Sequence, residues 1–150
     1  MFKFRLKSLM KHREFMFNRA QAALGAAEAL RIRVQSGVDR LKETIRVESE
    51  QFEQEQKNGI SAGRYFYFKN HLVFLERELL SLSRELEKAF VEVELHKQAL
   101  IECDKAVKTL ESVEARDREL YRLAQNRKEQ KKLDDVAVLN VYRNHERGDK

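Results

Sequence analysis

Two long runs of apolar residues at heptad spacing constrain this chain more than any other feature. Steps of four and three run from Leu6 through Met10, Phe17, Leu24, Val38 and Ile45 to Phe52. Eleven of those 14 positions are apolar, against ten of the 33 residues between them. A second run starts at Tyr65 and passes Phe68, Leu75, Leu82, Leu86 and Val93 to Leu110. It has 13 apolar positions of 14, against 11 of the 32 between. An apolar residue every 3.5 positions draws a stripe on a helix that has to be buried on another helix. After Leu110 the spacing slips to Val113 and then to Leu120 and Leu123, which resembles a stammer that overwinds the coil locally.

Nothing in the composition interrupts these helices. The 150 residues contain no Pro, where average usage would supply about seven, and Pro is the residue that breaks helix interiors. The break between the runs is Lys57-Asn-Gly-Ile-Ser-Ala-Gly63. Asn58-Gly59 suits a C-terminal cap with positive φ, and Ser61 suits the N-cap of a second helix. The expected fold is therefore all-α, a long antiparallel two-helix coiled-coil hairpin in a single domain. Helix one spans about 4–57, the turn about 58–61, helix two about 62–133, and a tail fills 134–150. A register in which paired positions sum to 120 matches the runs residue for residue. It sets Phe52 against Phe68, Leu41 against Leu79, and Arg31 against the small Ala89, where its stem has room to lie along the seam. Helix two is the longer, so its last two dozen or so residues overhang helix one without a partner in the chain.

A hairpin of this kind has a seam and no enclosed core, and it lacks the concave pocket that substrates need. No enzymatic activity is expected. The residues agree. His12, His71, His96 and His145 are scattered, and none stands four residues from another His or from Cys103, so no metal site and no cofactor are expected. His96 and Cys103 read as packed seam positions. One Cys excludes a disulfide framework within the chain and fits a reducing compartment. No apolar run approaches the roughly 20 residues that cross a bilayer. The opening Met1-Phe-Lys-Phe-Arg-Leu-Lys lacks the apolar centre and cleavage site of a secretory signal. It reads as the first turns of a helix, with a membrane-surface role as the alternative.

Charge is placed unevenly. Residues 1–19 carry six basic groups and one acid, and 114–132 carry seven and four, whereas 76–94 carry three and six. The antiparallel register gathers the two basic segments at one end and leaves a mildly acidic shaft. Such a field can steer docking into an acidic cavity. Nucleic acid is not expected as a partner, because acids dilute the basic groups and no groove-reading motif is present. Tyr67, Val73, Phe74, Leu80, Phe90 and Val91 lie off the second seam, and Leu9, Phe15, Met16, Leu30 and Ile32 off the first. Apolar residues in such positions indicate a partner or self-association.

Three segments stand out: the opening Lys3-Phe-Arg-Leu-Lys-Ser-Leu-Met-Lys-His-Arg-Glu14, the turn Asn58-Gly-Ile-Ser-Ala-Gly-Arg64, and Leu123-Ala-Gln-Asn-Arg-Lys-Glu-Gln-Lys-Lys-Leu-Asp-Asp-Val-Ala137. They resemble the FliJ family, small soluble coiled-coil components of the bacterial flagellar type III export apparatus. The resemblance implies a stalk at the centre of the hexameric export ATPase FliI. It also implies contact with the cytoplasmic domain of the export gate protein FlhA and escort of export chaperones. Peripheral attachment at the cytoplasmic face of the inner membrane would follow. Carried over, Arg122, Asn126, Arg127, Gln130, Lys131 and Lys132 face the ATPase ring, and His71, Leu75, Glu78 and Leu82 contact the gate. The alternatives are the equivalent stalk protein of an injectisome and a passive export chaperone.

Overall fold

The computed structural model describes residues 1–148 and contains two helices, α1 over Lys7–Asn58 and α2 over Ala62–Gly148. They pack against each other as an antiparallel hairpin, and there is no strand among the described residues. Of the 28 heptad positions, 27 are buried or half-buried, and only Arg13 is exposed. The apolar stripe drawn by the sequence is thus the face the helices share. By contact density the chain divides into two compact units, one of Met16–Cys103 and one of Met1–Phe15 with Asp104–Lys150.

In the unit of Met16–Cys103 the turn closes the hairpin as its residues require. Gly59 adopts φ 88°, a conformation that costs a residue with a Cβ. The Ser61 hydroxyl accepts from the Arg64 backbone N–H at 3.3 Å, capping the start of α2. Beside the turn, Phe52 stacks on Phe68 with centroids 5.2 Å apart and leaves Phe68 2% exposed. The Arg64 guanidinium spans the turn to the Glu55 carboxylate (Nη2 to Oε1, 2.6 Å) and lies 5.3 Å from the Phe68 ring centre. Further along, a Cβ at Gly37 would stand 3.1 Å from Leu82 Cδ2, and the Arg31 guanidinium covers the Phe90 ring at 5.4 Å next to buried Ala89. These contacts follow the pairing that sums to 120 within one residue.

The other unit departs from expectation in three places. First, α1 begins at Lys7 and not near residue 4. Phe2, Phe4 and Leu6 are covered while Lys3 and Arg5 are exposed; residues 1–4 have no regular structure, and a turn at Arg5 and Leu6, in which the Lys7 N–H donates to the Phe4 carbonyl at 3.3 Å, leads into the helix. Phe4 is buried in a cluster with Met10 and Leu110, and Phe2, Leu6 and Val113 pack on it. Chain outside a helix can advance up to about 3.3 Å per residue against 1.5 Å within one. Phe2 therefore reaches Tyr121, centroids 5.7 Å apart, with the Arg118 guanidinium 5.4 Å from its ring. Second, Leu120 and Leu123 do not continue the seam, for both are exposed. The covered positions after Leu110 are Val113, Glu114, Asp117, Tyr121 and Gln125, steps that keep an uninterrupted α-helix facing one way. Third, α2 does not end near 133 but continues to Gly148, since no Pro or Gly stands between Gly63 and Gly148 to stop it. The tail expected over 134–150 is therefore helical through 148, and its last two residues lie outside the described ones.

Candidate interaction surfaces

The last part of α2 has no packing partner. Every described residue from Asn126 onward is exposed, five residues beyond Tyr121, whose ring packs on Phe2 of the opening segment. Arg122, Asn126, Arg127, Gln130, Lys131 and Lys132 all lie on exposed helix surface. They do not share one face. Arg127 and Lys131 stand one turn apart on one side, Arg122, Asn126 and Gln130 follow each other at intervals of four on another, and Lys132 points elsewhere. The set wraps the helix.

Their charges are not equally available. Arg122 is engaged by the Glu119 carboxylate, Nη2 to Oε1 at 2.6 Å, and that hydrogen bond raises the guanidinium's pKa and lowers the carboxyl's. Gln130 donates to Asp134 at 3.2 Å. No hydrogen bond or ion pair among the described residues engages Arg127, Lys131 or Lys132, so each presents a whole unit of charge to whatever docks here.

The residues expected at the export gate are placed differently. Leu75 is 7% exposed and Leu82 is half-buried against Gly37, so both are occupied by α1. His71 is half-buried and stacks on Tyr67 with centroids 5.9 Å apart, and Glu78 is exposed. The four share a helix face whose Leu75 and Leu82 lie in the seam and whose His71 and Glu78 lie at its edge. The accessible apolar surface is on the other side of α2. Phe66, Val73 and Leu80 are spaced by seven and exposed, and Tyr67 and Phe74 lie beside them. Phe66 was hidden by its position among four successive aromatics. Its spacing of seven from Val73 and Leu80 is the signal that separates it from the seam residues Tyr65 and Phe68.

No group of His, Cys, Asp and Glu among the described residues is arranged to hold a metal ion. No helix among them is long and apolar enough to cross a membrane. No curated protein and no solved structure gives a match to the chain. A family model does: the one described as Flagellar FliJ protein matches residues 2–146.

Proposed function

From the premise that the chain belongs to the FliJ family and is a component of the flagellar export apparatus, we propose that it acts as a stalk between the export ATPase and the export gate. It carries out no chemistry of its own. The observation that supports this reading is the unpartnered end of α2, a helix exposed on every side that carries the unpaired cations Arg127, Lys131 and Lys132. A ring can surround a helix that nothing else covers, and an acidic lumen would be complementary to these three cations. In this reading the FliI hexamer surrounds the basic segment, and the hairpin passes the ring's cycle to FlhA at the cytoplasmic face of the inner membrane.

The gate contact and chaperone escort fall to the exposed stripe of Phe66, Val73 and Leu80 with Tyr67 and Phe74. Leu75 and Leu82 would have to leave α1 before they could touch a partner, at the cost of opening the seam. The stripe is available as it stands.

ATP hydrolysis by FliI with increasing amounts of this protein tests the ring contact. Arg127→Glu with Lys131→Glu alters two exposed residues outside the seam, so helicity should be retained. Stimulation of the ATPase should be lost, because like charges brought together in a closed site cost several kcal/mol. Stimulation by the unmodified protein should also weaken with salt, since exposed charges are screened over about 8–10 Å. Undiminished stimulation by the double variant would move the ring contact away from this segment.

A further inference from the structure

The overhang has a second property that docking into a ring does not require. The helix leaves Leu133, Val136, Val138, Leu139 and Val141 each more than half exposed. Surface of this kind calls for a cover, and the segment's own sequence is complementary to itself. Laid antiparallel on a second copy so that positions on the central line sum to 261, Leu120 meets Val141 and Arg127 meets Asp134. Leu123 then lies beside Ala137 on one flank, and Ala124 beside Val138 on the other. Leu120, Arg127, Asp134 and Val141 are spaced by seven, so they form one line along the helix, with the other apolar pairs flanking it. All of these residues are exposed in the single chain. Asp134 holds Gln130 with one oxygen, which leaves the other for a guanidinium.

We propose that two copies of this chain associate through residues 120–141 as an antiparallel twofold helix pair, with Arg127 of each copy joined to Asp134 of the other. A twofold interface repeats every contact. The arrangement therefore contains two ion pairs and buries the apolar residues on both sides of them. Charge is complementary along the central line in this antiparallel sense alone. Parallel pairing would set Arg127 on Arg127 and Asp134 on Asp134. The two Lys131 side chains approach each other at the axis, and their repulsion keeps the association weak and reversible. The inference stands on the chain by itself. One consequence rests on the ring reading as well: a pair formed this way covers Arg127 and Lys131, so self-association and docking in the ATPase exclude each other.

Sedimentation velocity of the isolated protein tests the proposal without the ATPase. Monomer should give way to dimer over about a hundredfold rise in concentration. Arg127→Asp and Asp134→Arg should each raise the dissociation constant at least about tenfold, and the two together should restore it, because the pair is then exchanged. Lys131→Ala should tighten the dimer. In a Cys103→Ser background, Gln130→Cys lies beside the axis and should form a disulfide-linked dimer, while Arg122→Cys on the far side of the helix should not. A protein that stays monomeric throughout the range while remaining helical would overturn the proposal and assign this surface to another partner. So would a dimer that the single reversals leave unchanged, or that the exchanged pair fails to restore.

Discussion

Truncation of Phe68 probes the hairpin at the point where its register is set. The ring is 2% exposed and stacks on Phe52 across the seam at 5.2 Å. Removing a buried Phe side chain typically costs about 3–5 kcal/mol once the cavity is included. A seam between two helices is open at its edges, so water can enter part of the space, and the low end applies. We expect Phe68→Ala to cost about 3 kcal/mol. Phe68→Leu keeps most of the apolar volume and should cost under about 1.5 kcal/mol. The stacked pair adds a coupling of about 0.5–1.5 kcal/mol beyond area burial, which a double-mutant cycle with Phe52→Ala would recover. Urea unfolding followed by helical circular dichroism gives each value. The corresponding fall in melting temperature for Phe68→Ala is on the order of 6–12 °C, if about 1 kcal/mol moves a domain of this size by 2–4 °C. Phe52→Ala paired with a distant change such as Met10→Ala serves as the control and should be additive. A loss below about 1 kcal/mol for Phe68→Ala, or additivity of Phe52→Ala with Phe68→Ala, would refute the register and the packing argument built on it.

Other outcomes follow from the same contacts. Leu79→Asp places an unpaired charge in the half-buried middle of the seam, and unfolding should show a loss of roughly 2–4 kcal/mol. Gly25→Ala meets nothing within 4 Å of the new Cβ and should raise the melting midpoint, a gain of about 0.5–1 kcal/mol from helix propensity. Gly59→Ala should lower it, because φ 88° is strained for any residue with a Cβ. The hydrogen bond from Arg64 holds the Glu55 carboxyl below its ordinary pKa, so the protein gains stability from the pair above that ordinary value and loses it as pH falls through the depressed one. A pH titration of unfolding should therefore show Glu55→Gln less stable than the unmodified protein near neutrality, with the difference closing below about pH 4.

Much of the hairpin was legible because helix pairing is a local, periodic problem. The heptad runs mark which residues face inward, a short turn with Gly59 and Ser61 forces the return, and the aromatic Phe52 and Phe68 then have a single register available. The basic overhang is legible as the part of helix two that continues beyond the residues helix one can pair. The limits of reading by period appear where the period changes. Phe2, Phe4 and Leu6 alternate by two, but only the packing of Phe4 on Met10 and Leu110 shows that these residues precede the helix, with Phe2 reaching Tyr121. Leu120 and Leu123 looked like seam because they are leucines. The helix turns them outward, because the covered side has already been claimed by Tyr121 and Asp117. Leu75 and Leu82 belong to the second heptad run, and their packing on α1 keeps them from a partner while Phe66, Val73 and Leu80 stay exposed. Sequence spacing tells which residues share a face, and contact with the other helix decides which of those faces a partner can reach.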